Sequence, residues 1–153
     1  MTPRAHLTQA SELGGQLGND WLRATARTQL ASLAVATGHL EEARALLRDS
    51  VDAGGELSTQ ALIFSLIAHA RLALAEDEPR AAALALGAAD VLRQRAGLRP
   101  WPSTRRSEAE LLAHVAGRLG PKVMEQVLTD GSRIDRAEAI TFVRSGVSDV
   151  RSV

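Results

Sequence analysis

The residues from Ser58 to Ala75 constrain this chain more than any other stretch. Read at 3.6 residues per turn, Leu62, Ile63, Phe64, Leu66, Ile67, Leu72 and Leu74 cover nearly every side of one helix. A helix that is apolar all round has to be buried between neighbours. The stretch is interrupted by His69 and Arg71 and is too short to cross a bilayer, so those neighbours must be protein. Alanine and leucine, both strong helix formers, dominate the rest of the sequence. Tyr is absent, and there are only two Trp and two Phe, where a sheet would want aromatic and β-branched residues on its strands. The fold class expected is all-α.

Capping residues divide the chain. Thr2-Pro3 is an N-cap followed by Pro at the first helical position, opening a helix to about Leu17. Gly18-Asn19-Asp20 breaks and re-caps the chain for a helix from Trp21 to Ala36, which Thr37-Gly38 closes. A third helix spans roughly Leu40 to Ala53 and is stopped by Gly54-Gly55. Ser58 caps the apolar fourth helix, Thr59 to Ala75. Glu76-Asp77-Glu78-Pro79 turns into a fifth that ends near Arg95 before Gly97. Leu98-Arg99-Pro100-Trp101-Pro102 reads as a stiff extended connector, with Trp101 pinned on the body. A sixth helix starts at Ser103 or Thr104, with Ser107-x-x-Glu110 as an inner capping box. Gly120-Pro121 restarts the chain for a short helix to Leu128, and Thr129-Asp130-Gly131 turns it. Asp135-x-x-Glu138 caps a last helix, Arg136 to Arg144, followed by a frayed tail after Gly146.

The length of 153 residues fits one domain. Eighteen basic residues balance eighteen acidic ones, which argues against a dedicated nucleic-acid coat protein. Without cysteine there are no disulfides, thiolate metal sites or cysteine nucleophiles. No apolar leader follows Met1-Thr2-Pro3, and the expectation is a soluble, cytoplasmic chain with no membrane partner.

The second to fifth helices contain a repeat. Leu30-Ala31-x-x-Ala34, Ala43 and Leu47 recur as Ala70-x-x-Ala73, Ala82 and Leu86, an offset of 82 − 43 = 39 residues. Small residues at fixed places on paired helices let backbones approach closely, as in stacked helical hairpins. The first pair, with Gly38-x-Leu40-x-x-Ala43 at its turn, resembles a tetratricopeptide repeat (TPR). The second resembles a degenerate one, with Asp77 where Gly is usual and His69 where Leu is usual. The stretch from Ala81 to Arg93, and that from Leu119-Gly120 through Asp130-Gly131 to Glu138-Ala139, are similar to the closing segment of LuxR-type and related ATPase-coupled transcription regulators of actinobacteria. Leu128 stands where that family has Trp. The resemblance covers about residues 20 to 145. It implies antiparallel helical hairpins in a TPR-like right-handed array of about seven to eight helices. It also implies a single domain over residues 1–153 that is the C-terminal piece of a larger regulator.

No phosphate-cradling G-x-x-x-x-G-K-[ST] and no G-x-S-x-G elbow is present, and no histidine pair has metal-ligand spacing. No catalytic residue, cofactor or metal ligand is therefore expected, and the function expected is non-catalytic: a protein-interaction or regulatory module. Its partner is a protein, a peptide or another domain of the parent regulator, and a homo-oligomer is compatible with the sequence. In TPR arrays the first helix of each pair lines the concave face. By position that assigns Thr28, Ser32 and Val35 from the first unit and Phe64, Ile67, Arg71 and Leu74 from the second. Phe64 and Ile67 are the expected apolar anchors, and Arg71 the grip on a carboxylate. In a closed bundle Arg71 would instead pair with an internal acid such as Asp90 or Glu110. His69 is expected as a hydrogen-bonded core histidine, with a ligand role as the rival reading, and His39 as an exposed residue at a bend. Glu76-Asp77-Glu78 is expected to complement a helix dipole. The rival class is a nucleic-acid-linked regulator using the arginines from Arg93 to Arg106, although direct nucleic-acid binding is disfavoured by the balanced charge.

Overall fold

The structure, a computed structural model, describes residues 2–52 and 58–145. They form eight helices: α1 Pro3–Gln16, α2 Asp20–Ala36, α3 Leu40–Val51, α4 Thr59–Ala75, α5 Pro79–Ala96, α6 Pro102–Leu119, α7 Pro121–Ser132 and α8 Arg136–Ser145. The described residues include no strand. None of their helices is long and apolar enough to cross a membrane.

Side-chain caps set four of the eight helix starts among the described residues. The Thr2 hydroxyl accepts from the Ala5 amide, Asn19 Oδ1 from Leu22, and the Ser58 hydroxyl from Ala61. Asp135 and Glu138 cap each other reciprocally at 2.8 and 3.1 Å. The α2 and α4 ends carry the 39-residue repeat into the backbone. The His39 amide donates to Ala34 and the Gly38 amide to Val35, and Glu78 to Ala73 and Asp77 to Leu74 do the same one repeat later. Each is a Schellman ending, which needs a left-handed residue. Gly38 (φ 80°) supplies it in the first turn and Asp77 (φ 63°) in the second. Asp is one of the few L residues that tolerates this region.

The hairpin α2/α3 packs on α4/α5, with α4 in contact with α2, α3, α5, α6 and α8. Leu62, Ile63, Leu66, Ile67 and Leu72 of α4 are all buried, as an all-round apolar helix requires. Each such side chain contributes roughly 1.5–3 kcal/mol of burial free energy. Ala31, Ala34, Ala43 and their counterparts Ala70, Ala73 and Ala82 are all at most 5 % exposed. Larger side chains there would overpack the crossings: Ala43→Leu and Ala82→Leu should each cost about 1–3 kcal/mol in urea unfolding. If both variants melt with the parent, the repeat positions are not equivalent contacts.

Beyond α5 the hairpin stacking changes character. α7 packs more extensively on α5 than on its own neighbour α6, and α8 turns back onto α3 and α4. The α5–α7 crossing is made by two glycines. A Cβ on Gly87 would lie 2.5 Å from the Leu128 carbonyl oxygen, and one on Gly131 would lie 2.5 Å from that of Leu84. This corrects the expected turn at Thr129-Asp130-Gly131: the helix continues to Ser132, because Gly131 is needed inside it.

Three further expectations are corrected. Pro102 is the first residue of α6 rather than part of the connector. Trp101 is not pinned on the body but 74 % exposed. Ser107 and Glu110 form no cap, being inside α6, where the Ser107 hydroxyl accepts from Arg71 instead. The Gly54-Gly55 stop and the tail after Gly146 lie outside the described residues.

Candidate functional site

A groove of about 410 Å³ runs between α2, α4 and the first two turns of α6. On α4, Phe64, Ile67 and Arg71 are spaced i, i+3, i+7, which places them on one face. On α2, Thr28 and Ser32 meet them. Five of the seven residues assigned by repeat position thus line one groove. Val35 and Leu74 do not; both are partly buried against the core. Phe64 is half-buried, neither sealed in the core nor free, and Ile67 beneath it is buried. The Thr28 hydroxyl is spent inside its own helix, donating to the Thr25 carbonyl at 2.9 Å.

α6 supplies the opposite wall through Ser103, Thr104, Ser107 and Glu108. Sequence reasoning missed these residues. Their polar spacing marks only a helix start, and nothing local says that this start lies across α4. Arg71 Nη2 donates to the Ser107 hydroxyl at 2.6 Å. The two acids named for a closed bundle do not reach it: Asp90 accepts from Gln94, and Glu110 is exposed. The carboxylate that shares the groove, Glu108, hydrogen-bonds elsewhere: its two oxygens accept from Arg93 at 2.6 and 2.8 Å in a bidentate pair. Burial lowers the Arg71 pKa and Glu108 partly offsets this, but a guanidinium stays charged throughout. The groove therefore has an apolar floor, three hydroxyls opposite it, and a partly desolvated cation held by a neutral hydroxyl.

The other residues singled out in the sequence lie elsewhere. Arg93 is withdrawn from the arginine cluster by Glu108, with both side chains under 15 % exposed, while Arg95, Arg99, Arg105 and Arg106 are exposed. Glu76 pairs with Arg44 and Asp77 with Arg118, so the first two acids of Glu76-Asp77-Glu78, just before the start of α5, are also ion-pair partners. His39 is exposed, its Nδ1 hydrogen-bonded to the Thr37 hydroxyl at 2.8 Å. His69 is buried as expected, but neither ring nitrogen has a hydrogen-bond partner among the described residues, which corrects the expectation of a satisfied core histidine. Its ring meets Phe142 edge-on, with centroids 4.6 Å apart. No group of three or more metal-ligating side chains occurs among the described residues.

No protein-family model matches the chain, and no match was found among curated proteins or among solved structures.

Proposed function

We propose that this chain is a non-catalytic protein-interaction module whose α2/α4/α6 groove holds a segment of a partner protein. The segment seats an apolar side chain on Phe64 and Ile67 and presents a carboxylate to Arg71. The observation that carries this reading is the state of Arg71: a groove-lining guanidinium whose hydrogen-bond partner is a hydroxyl, beside a carboxylate whose two oxygens are bound by another arginine. An incoming carboxylate gains a charge-assisted, bidentate contact that Ser107 cannot offer. The 39-residue repeat and the resemblance of residues 20–145 to the closing segment of LuxR-type regulators support a wider assignment. In it, the chain is a TPR-like, right-handed array that forms the C-terminal sensor or scaffold piece of a cytoplasmic, ATPase-coupled transcription regulator.

A random-peptide selection on the immobilised chain tests the reading. The expected binders combine an aliphatic or aromatic residue with Asp or Glu, and Arg71→Ala should weaken them by about tenfold or more. Binders that lack acids, or that bind Arg71→Ala equally well, would overturn it.

One observation favours the nucleic-acid reading: Trp101 is exposed beside exposed Arg99, Arg105 and Arg106, as a base-stacking platform would be. The loss of Arg93 to Glu108 and the balanced net charge weigh against it. Phosphate binding would fall steeply with added salt, whereas seating in the groove would fall only modestly.

A further inference from the structure

Three of the six large apolar side chains left exposed among the described residues gather where α1 turns into α2: Leu13, Leu17 and Trp21, the last two 68 % and 50 % exposed. Single exposed apolar residues are ordinary, but a cluster at one tip marks a contact surface. Asp20 stands between Leu17 and Trp21 in this tip, exposed, and no cation among the described residues pairs with it. The tip therefore carries the two groups that the groove receives, an apolar side chain and an unpaired carboxylate. We propose that the groove's partner is a second copy of this chain, whose α1/α2 tip seats Trp21 on Phe64 and Ile67 and gives Asp20 to Arg71. This inference rests on the groove reading above and names its occupant.

The tip cannot fill the groove of its own chain. On α2, Trp21, Thr28 and Ser32 are spaced i, i+7, i+11, which puts them on one stripe, and Trp21 lies about 10 Å along the axis from Thr28. Helical side chains lean toward the N-terminus of their helix, so Trp21 leans away from the groove. A twofold-related copy reverses that direction. With the two α2 helices antiparallel and the axis near Thr25, midway along the stripe, each Trp21 reaches the other copy's groove. Tip and groove are then both occupied, and assembly closes at two chains. Charge agrees with this arrangement. The charged residues lining the groove are Arg71 and Glu108, and both Glu108 oxygens are bound by Arg93, so Arg71 is the charge that an incoming Asp20 meets. There the carboxylate makes a charge-assisted, bidentate contact that the Ser107 hydroxyl cannot offer. The apolar area at the tip is modest, so the dimer expected is a weak one, half-formed at about 10–100 μM chain.

The experiment is sedimentation equilibrium of the full chain from about 5 μM to about 1 mM, with a charge swap across the contact. The parent should pass from monomer to dimer and no further. Asp20→Arg and Arg71→Asp should each weaken the dimer by about tenfold or more, because each sets like charges together twice. Mixed in equal amounts, the two variants should recover the parent's association, since both contacts of the mixed dimer again join opposite charges. Trp21→Ala should weaken the dimer by a similar factor of about tenfold. Circular dichroism of each variant checks its fold. The inference is overturned if the parent stays monomeric throughout or grows beyond a dimer. It is equally overturned if a folded single variant associates like the parent, or if mixing restores nothing. Should a charge variant not fold, competition decides: acidic, apolar peptides selected on the groove should dissociate the parent dimer, and a dimer that persists with the groove saturated would overturn the inference. A parent that stays monomeric while such peptides still bind through Arg71 would overturn the second copy as occupant and leave the groove reading standing.

Discussion

Gly87→Ala and Gly131→Ala are each expected to destabilise the fold by about 2–4 kcal/mol, whereas Gly117→Ala should stabilise it by about 1 kcal/mol. The same chemical change takes opposite signs because two effects compete. Ala gains about 1 kcal/mol over Gly in a helix interior. Gly117 is an exposed α6 residue, and a Cβ there meets nothing within 4 Å, so only the helical gain remains. At Gly87 and Gly131 the added Cβ falls 2.5 Å from a backbone carbonyl oxygen of the opposing helix. A backbone cannot swing aside as a side-chain tip can, so α5 and α7 must separate and the Leu84, Met124 and Val127 packing loosens with them. Urea unfolding of the three variants measures both signs. Parent-like midpoints for Gly87→Ala and Gly131→Ala would show that the crossing is not held this tightly.

Acid should weaken the fold through His69 by about 3 kcal/mol between pH 6.5 and pH 4. The unfolded chain takes up a proton there near pH 6.5, while burial and Arg44 keep the folded ring neutral down to about pH 4. Within that window the unfolded state binds more protons, so stability is complete above it and falls as pH drops. Below the folded pKa both states are protonated and the difference stops growing. Carboxylates titrate in the same range, so the relevant quantity is the difference between the parent and His69→Phe. The variant keeps a ring against Phe142 and removes the two unpaired nitrogens, and its stability should lack this share of the acid slope. Identical slopes for the two chains would mean that the folded protein accommodates the proton on His69.

Legibility in the sequence followed the range of the interactions. Ser58, Gly97 and the Asp135/Glu138 pair act within one turn of chain, and each helix end they mark lies where local chemistry puts it. The repeat is readable because small residues recur at Ala43 and Ala82, both buried, and even Asp77 takes the left-handed position of its counterpart Gly38. Gly131 was misread because a Gly after Thr129-Asp130 carries the local signature of a turn, while its reason for being Gly lies 44 residues away at Gly87 (131 − 87). Trp101 was misread because two flanking prolines suggested a fixed connector, whereas Pro102 starts a helix and leaves the indole outside. Half of the groove was visible, namely the α2 and α4 residues that share a repeat position. The α6 wall was not, since no repeat places α6, and neither was the capture of Glu108 by Arg93, which decides what Arg71 has left to bind.

The functional reading rests on Arg71 being a guanidinium that faces an open groove rather than a structural member of a sealed pair. The unfolding free energy of Arg71→Ala, measured in urea near neutral pH, tests this most directly. The substitution removes one hydrogen bond to Ser107 and relieves a partly desolvated charge, two changes of opposite sign. The expected result is a stability within about 1 kcal/mol of the parent. A loss of several kcal/mol, the signature of an uncompensated buried charge on Glu108, would contradict it and leave Arg71 as part of the scaffold.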